Sequence, residues 1–142
     1  MTLDFDRGEM ICRALEQQKY AYAPYSGFCV SAAVLMDSGE IYTGVNVENA
    51  SYPAGTCAER NAIQHAVACG ERRIRAIAIV GGKQGSNRNY CVPCGICRQV
   101  MREFCDPKEM RVLLARTPED YKEMTLAELL PESFGPEDLA RG

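Results

Sequence analysis

The segment Ile74-Arg-Ala-Ile-Ala-Ile-Val80 decides the fold, because it is rich in β-branched residues and fits a buried strand. A helical pattern over residues 95–105 follows it, and an apolar strand pattern over residues 110–115 comes next. Two neighbouring strands of one sheet that are joined through a helix run parallel. We therefore expect a parallel pair here, with any ligand site at the carboxyl ends of these strands, beside helix N-termini.

Further strands and helices are predicted on both sides of this unit. The order α-β-β-α-β-α-β-β-α predicts one α/β domain over residues 1–142, a three-layer α/β/α sandwich around a mixed five-stranded sheet. A fifth strand within residues 117–125 has too short a connector for a parallel crossover, so it is expected to run antiparallel to the fourth. The other predicted elements are helices at 7–20, 57–69 and 126–130, and strands at 28–36 and 40–47 joined by a hairpin loop at 37–39.

The second predicted helix carries its own start and stop signals. Thr56 is the expected N-cap and Gly70 the expected C-terminal stop. Three alanines spaced four residues apart form a small-residue face, called the alanine ridge below, and would allow close packing of such helices at the centre of an oligomer: Ala58, Ala62 and Ala66.

Composition and charge exclude several classes of protein. The 142 residues are 46% hydrophobic and 25% charged, which is typical of a globular domain. A net charge of −3 with no basic patch disfavours nucleic acid as a partner. No apolar run approaches the length of a membrane span, and the N-terminal stretch has no secretory pattern, so a cytoplasmic location without membrane attachment is expected. Eight cysteines in such a chain indicate metal binding or catalysis rather than disulfides.

Three of the cysteines stand at the starts of predicted helices. Cys57 and Glu59 open the second helix, and Cys94 and Cys97 open the third. If the fold brings these two N-termini together, three thiolates converge where helix dipoles favour negative charge. Three protein ligands leave one open position on a tetrahedral zinc ion, and Glu59 could hydrogen-bond a water molecule there.

Other interpretations of the same residues stay open at this point. The pair Cys94-Gly-Ile-Cys97 could be a thioredoxin-like redox motif, although a polar loop precedes it. Cys91 could join the three other cysteines in a closed four-thiolate structural zinc site, which would leave Glu59 without a role. Glu59 could also be an ordinary solvated glutamate in a first helical turn.

Taken together, the motifs resemble those of the zinc-dependent cytidine deaminases, most strongly the small homotetrameric enzymes that act on free nucleosides. The resemblance covers nearly the whole chain in five ordered blocks: Ala23-Pro-Tyr-Ser-x-Phe28-x-Val-x-Ala-Ala33, Gly44-Val-Asn46-Val-Glu48-Asn-Ala-Ser-Tyr52, Cys57-Ala-Glu-Arg60-x-Ala62, Pro93-Cys-Gly-x-Cys-Arg-Gln99 and Leu129-Leu-Pro-x-Ser-Phe134-Gly-Pro.

The resemblance implies a hydrolytic deaminase that converts cytidine and 2'-deoxycytidine to uridine and 2'-deoxyuridine plus ammonia. One zinc ion per chain would be held by Cys57, Cys94 and Cys97, and zinc-bound hydroxide would attack C4 of the pyrimidine. Glu59 would carry protons from the water to N3 and to the departing amine. The main-chain N–H of Ala58 would bind the pyrimidine O2.

The resemblance also implies roles for residues around the metal. Arg60 would donate hydrogen bonds to ligand sulfurs and offset the excess negative charge, unless it is an ordinary solvated arginine. Asn46 and Glu48 would bind the ribose 3'-hydroxyl from one face of a strand end, unless they are simply solvated. Phe28 would lie against the pyrimidine ring, and the alternative for it is plain core packing.

Two further aromatic residues imply a shared active site. In the family, the aromatic at the position of Phe134 reaches a neighbouring subunit's pocket, and Tyr52 lies in a loop that also meets a neighbour's site. A homotetramer with shared sites is therefore expected, while packing of Phe134 on its own core is the alternative. Two other functions stay open: deamination of a related nucleoside such as blasticidin S, and a non-catalytic structural-zinc module.

The single histidine and the other cysteines are expected to have structural roles. His65 is expected on a helix surface rather than at the metal. Cys91 is expected to be a small buried residue. Four other cysteines are most simply core residues: Cys12, Cys29, Cys69 and Cys105.

Overall fold

The computed structural model describes residues 4–140 of the chain. Residues 1–3, the start of the stretch searched for a secretory signal, and residues 141–142 lie outside the described residues. The elements follow in chain order: α1 (Arg7–Gln17), β1 (Phe28–Met36), β2 (Ile41–Val45), α2 (Ala58–Ala68), β3 (Ile74–Lys83), α3 (Gly95–Glu103), β4 (Arg111–Thr117), β5 (Asp120–Thr125), α4 (Leu126–Leu129) and α5 (Pro136–Ala140).

The strands form one mixed sheet with the order β2-β1-β3-β4-β5. β3 and β4 are parallel, with Ala76 opposite Arg111, so the predicted crossover through α3 is confirmed. β1 is antiparallel to both β2 and β3, and β5 is antiparallel to β4, as expected from its short connector. Phe28 at the start of β1 stands opposite Lys83 at the end of β3, which makes this one end of the sheet.

Two apolar layers cover the sheet, and together they confirm the three-layer prediction. Alternate residues of β1 face opposite layers, so Ala33 packs with α1 while Ala32 and Val34 pack on the side of α2, α3 and α4. The same alternation in β3 buries Ala78 on the α1 face and Ile77 on the other. Burial on both faces explains why this strand is apolar at nearly every position.

The alanine ridge lies inside the chain, so the prediction that it serves an oligomer interface is wrong. Ala58, Ala62 and Ala66 are all fully buried in the layer between α2 and the sheet. The facing strand carries Gly44, where an added Cβ would stand 2.3 Å from the backbone nitrogen of Ala62. Small residues on both sides therefore let α2 approach β2 closely. The alanine ridge is covered by this contact and is not available to another chain.

The start of α2 differs from its prediction by one residue. Cys57, not Thr56, is the N-cap, and its side chain makes no capping hydrogen bond. Thr56 instead pairs with Val47, whose carbonyl accepts from the Thr56 N–H at 2.9 Å. Gly70 follows the helix at φ +96°, in the left-handed conformation expected of a C-terminal stop.

Other element ends shift by a few residues. α1 ends at Gln17 and continues as a 3₁₀ turn over Gln18–Tyr20. β2 ends at Val45 rather than at residue 47, and β3 extends to Lys83. The stretch after α4 contains the short helix α5, which was not predicted. No helix within residues 4–140 is long and apolar enough to cross a membrane.

Only some of the cysteines assigned to the core lie there. Cys105 is buried and Cys29 half-buried, but Cys12 and Cys69 are exposed, so the core assignment of these two is wrong. Cys12 lies on the side of α1 that faces away from the sheet, and Cys69 caps the C-terminus of α2 at the surface. His65 is exposed, as predicted, and packs edge-on against Tyr42.

Candidate functional site

The first part of the site is the N-terminus of α2. Gly44 permits the close contact of this helix with β2, and the Asn61 side-chain amide donates to the carbonyl of Val45 at 2.7 Å. These contacts fix where the helix begins, and with it the positions of Cys57 at the N-cap and Glu59 in the first turn.

The N-terminus of α3 supplies the second part. Cys94 is its N-cap, and Cys97 lies buried in its first turn. Arg98 stabilises this turn because its guanidinium donates to the carbonyls of Pro93 at 2.8 Å and Leu129 at 2.5 Å. The helix start is thereby tied to the loop before it and to α4.

The fold brings the two helix starts together, which fulfils the condition of the sequence-based prediction, and three thiols meet there. The sulfur atoms of Cys57, Cys94 and Cys97 all lie within 4.8 Å of one another, and those of Cys57 and Cys94 are 3.9 Å apart. A zinc–sulfur bond of about 2.3 Å in a tetrahedral site puts ligand sulfurs about 3.8 Å apart. The three thiols therefore fit a zinc ion in donor type and in spacing.

The thiols lie in an environment that favours negative charge. Hydrogen bonds from the Cys97 thiol and from Arg60, whose Nη2 lies 3.5 Å from the Cys57 sulfur, lower the pKa of Cys57 to about 5. The same bond to Cys57, together with burial, raises the pKa of Cys97. One thiol of the group is thus already prepared as a thiolate, the form in which cysteine binds metal.

Glu59 is a buried acid beside this cluster. Only 4% of its surface is exposed, and burial raises its pKa to about 7, with the nearby Cys57 thiolate adding to the shift. A carboxyl group with a pKa near neutrality can both accept and donate a proton at physiological pH, as a general acid–base needs to do.

Cys91 lies outside the thiol cluster. Within residues 4–140, the group that could hold a metal comprises only the other three cysteines. Cys91 packs half-buried against the core, and burial raises its pKa to about 12. The sequence predicts a small buried residue here, and the structure has Cys91 half-buried and outside the metal site. The geometry therefore disfavours a closed four-thiolate site.

Asn46 and Glu48 lie just beyond the end of β2, not within it. The Asn46 amide links to β1, since its Oδ1 accepts from the Val30 N–H at 3.0 Å and its Nδ2 donates to the Phe28 carbonyl at 2.8 Å. Glu48 folds back onto the turn before β1, where its Oε1 accepts from the N–H groups of Tyr25 and Ser26 at 3.0 and 3.1 Å.

Two cavities flank this region, and they divide the predicted substrate residues. Glu48 and Tyr52 line a cavity of 370 Å³ together with Tyr25, Ser26, Asn49 and Gly55. Phe28, 41% exposed, lines a smaller cavity of 190 Å³ whose wall includes Cys91 and the loop over residues 83–90. The polar loop that precedes Cys94 is thus part of this wall.

Phe134 stands apart from both cavities. It is 57% exposed, and its carbonyl accepts from the Gln99 amide on α3 at 2.9 Å. The buried guanidinium of Arg102 holds the tail on either side of it, through the Ser133 hydroxyl at 2.8 Å and the Glu137 carboxylate. The exposed ring is therefore carried by an anchored backbone.

Ser26 is a site residue that is not among the predicted ones. Its hydroxyl donates to the Glu48 carboxylate and accepts from the Phe28 N–H at 3.0 Å, so it touches two predicted substrate residues. Its contact with Glu48 spans 22 residues and follows no local sequence pattern.

Comparison with known families agrees with this geometry. Residues 6–113 match the family model described as the cytidine and deoxycytidylate deaminase zinc-binding region. The cytidine deaminase of Halalkalibacterium halodurans is 43% identical over 134 residues, which cover 94% of this chain and 98% of that protein. A cytidine deaminase of Mycobacterium tuberculosis is 38% identical over 138 residues, 97% of this chain and 96% of that one.

Solved structures agree as well. The crystal structure of cytidine deaminase from Burkholderia pseudomallei superposes with a TM-score of 0.80 at 41% identity, covering 89% of this chain and 97% of that one. That of the Mycobacterium tuberculosis enzyme gives a TM-score of 0.77 at 38% identity, covering 93% and 99%. With its three clustered thiols and buried glutamate, this chain belongs to the cytidine and deoxycytidylate deaminase family.

Proposed function

We propose that this chain hydrolyses the amino group at C4 of cytidine and 2'-deoxycytidine, producing uridine and 2'-deoxyuridine plus ammonia, as a step of pyrimidine salvage. The observation that carries the proposal is a buried carboxyl group, Glu59, beside three thiols that fit a zinc ion. Similar proteins that are named cytidine deaminases support the deamination of cytidine.

Cys57, Cys94 and Cys97 would hold one zinc ion per chain, leaving its fourth position open to solvent or substrate. When bound, zinc lowers the pKa of a coordinated water molecule and so supplies a nucleophile at neutral pH. Arg60 offsets the charge of the thiolates, because three thiolates and Zn²⁺ sum to −1 and its guanidinium donates to the Cys57 sulfur.

Glu59 moves the protons of the reaction. Its carboxylate would accept one proton from the attacking water and pass it to N3 of the pyrimidine. It would then accept the second proton, from the hydroxyl group added at C4, and pass it to the amine, which leaves as ammonia. Its burial suits this sequence of transfers, because the raised pKa lets the group cycle between both protonation states.

The pyrimidine and the sugar would be held by residues on three elements. Ala58 is the first residue of α2, so its N–H has no partner within the helix and can bind the pyrimidine O2. Phe28 would lie against the ring from the start of β1. Asn46 and Glu48 would bind the ribose 3'-hydroxyl, Glu48 as a pure acceptor.

A homotetramer with shared active sites accounts for the exposed aromatic residues. Tyr52 is 76% exposed in the wall of the larger cavity, and Phe134 projects from the anchored tail. Each would meet a site on a neighbouring chain. The enzyme would work in the cytoplasm on free nucleosides, without nucleic acid or membrane partners, consistent with its net charge of −3.

One experiment tests this proposal against its alternatives. Deamination is measured by the loss of absorbance of the amino-pyrimidine. Five candidate substrates are assayed in parallel: cytidine, 2'-deoxycytidine, cytosine, CMP and blasticidin S. We expect turnover of the two nucleosides above the other three substrates. Turnover of blasticidin S alone would favour the related-nucleoside deaminase, and no turnover by zinc-loaded protein would favour the structural-zinc module.

A further inference from the structure

A single hydroxyl group connects the two predicted halves of the substrate pocket. Ser26 Oγ accepts a hydrogen bond from the backbone N–H of Phe28 at 3.0 Å and donates one to Glu48 Oε2. Because an ionised carboxylate can only accept hydrogen bonds, the hydroxyl is the donor in its bond with Glu48. The residue proposed for the pyrimidine and the one proposed for the ribose are therefore linked through one atom.

The Ser26 contact helps to decide which acceptor site on Glu48 stays available. An ionised carboxylate has about four lone-pair sites. Oε1 accepts from the N–H groups of Tyr25 and Ser26, and Oε2 accepts from the Ser26 hydroxyl, which leaves one site on Oε2. The hydroxyl bond is also the main reason that the pKa of Glu48 is lowered, so the group stays ionised.

The turn that carries Ser26 is itself fixed to the sheet. Lys83 at the end of β3 donates from Nζ to the Ser26 carbonyl at 2.8 Å, and the Gln84 N–H donates to the Gly27 carbonyl at 2.7 Å. Gly27 has a φ of +69°, the left-handed conformation that closes the turn into β1. The backbone of this turn is thus hydrogen-bonded to the end of β3, and Ser26 is held in place to orient Glu48.

We propose that Ser26 is a positioning residue that orients Glu48 so that one oxygen lone pair is reserved for a donating sugar hydroxyl. This inference rests on the proposed function, because it assigns the reserved lone pair to the ribose 3'-hydroxyl. It adds a requirement on the substrate: the sugar group at that position has to donate a hydrogen bond, not only accept one.

The test compares cytidine with 3'-deoxycytidine in wild type and Ser26→Ala, using kcat/KM for each. Ser26→Ala should lower kcat/KM for cytidine by about 10-fold. It should change kcat/KM for 3'-deoxycytidine little, because that substrate has no 3'-hydroxyl to donate a hydrogen bond to Glu48. Ser26→Thr keeps the hydroxyl and should restore the preference for cytidine. Ser26→Cys keeps the size but donates weakly, and it replaces Ser26→Ala if that variant does not fold.

Ser38→Ala is the matched control. Ser38 also donates to a carboxylate, Glu71 Oε2 at 2.6 Å, but it lies in the β1–β2 turn at the opposite end of the sheet. Ser38→Ala should leave kcat/KM unchanged for both cytidine and 3'-deoxycytidine.

The outcomes separate this inference from the function on which it rests. Wild type that does not deaminate cytidine would overturn the proposed function. Wild type that deaminates cytidine but does not prefer it over 3'-deoxycytidine, or Ser26 variants that slow both substrates equally, would overturn the role of Ser26 alone. A merely structural role predicts that equal slowing, so the ratio of the two substrates distinguishes positioning from folding.

Discussion

The two ends of the candidate site are built in different ways. The metal end, defined by Cys57, Glu59, Cys94 and Cys97, is formed by two helix starts that are packed on the core, with Glu59 and Cys97 buried. The sugar end, defined by Asn46, Glu48 and Tyr52, lies beyond the end of β2 on half-buried or exposed chain.

This difference indicates which parts of the reaction a single chain can complete. The metal end is built from residues of one chain, and close contacts such as that of Gly44 with α2 set its geometry. The sugar end depends on hydrogen bonds among loop residues and leaves a large aromatic ring at the surface. We therefore expect changes at the metal end to abolish chemistry and changes at the sugar end to weaken it.

Removal of a zinc ligand should have the largest effect. Cys94→Ala should lose zinc and all measurable activity, because two thiols cannot replace a three-thiolate site. Cys91→Ser is the matched control, and it should keep about one zinc per chain and most activity, since Cys91 lies outside the cluster. Metal analysis and the cytidine assay on both variants check this. Loss of zinc from Cys91→Ser to the same extent would favour the four-thiolate site.

At the sugar end, Glu48→Ala should have the largest effect. Loss of a hydrogen bond to a charged group corresponds to a roughly 10- to 150-fold drop in kcat/KM. Zinc content should be unchanged, because Glu48 belongs to the sugar end. Glu40→Ala, an exposed glutamate in the β1–β2 hairpin, serves as the control. Unchanged kcat/KM for both nucleosides would remove Glu48 from the site.

Arg60→Ala tests how charge is balanced at the metal end. Loss of a residue that orients or neutralises metal ligands typically costs about 10- to 100-fold in metal affinity or activity. We expect a loss in this range, seen as lower kcat at full zinc occupancy or as weaker zinc retention. Arg13→Ala on α1, on the other face of the sheet, should match wild type. If Arg60→Ala matches wild type as well, Arg60 is an ordinary helix arginine.

Phe134→Ala should have the smallest effect, a modest rise in KM or fall in kcat without unfolding. Leu139→Ala, another exposed apolar residue of the tail, is the control and should match wild type. Light scattering of the wild type should give close to four times 15.7 kDa. A fully active monomer at the assay concentration would show that no neighbour completes the site.

Much of the fold could be predicted because burial leaves a pattern in the sequence. The apolar run over residues 76–80 reflects a strand covered on both faces, and the short connector before β5 fixes the direction of β5. The N-cap of α2 was harder to predict. Threonine is preferred over cysteine as an N-cap, but the backbone of Thr56 pairs with Val47, so the helix cap is Cys57.

The contacts of exposed or small residues were harder to predict than the strands. Periodicity shows that Ala58, Ala62 and Ala66 share one face, but not whether that face meets the chain's own sheet or another chain. The meeting of Cys57 with the α3 cysteines was predicted only on the condition that the fold joins two helix starts. The bond between Ser26 and Glu48 depends on a turn and a loop that are distant in sequence, and no local preference predicts it.

Turnover of cytidine by zinc-loaded Glu59→Ala tests the central claim most directly, namely that the buried carboxyl beside the thiols carries the protons. With about one zinc per chain and an intact fold, the account predicts a loss of kcat of at least about 10²- to 10⁴-fold, because one group serves several proton transfers. Glu16→Ala, an exposed glutamate on α1, should keep full activity. Wild-type kcat in zinc-loaded Glu59→Ala would contradict the account.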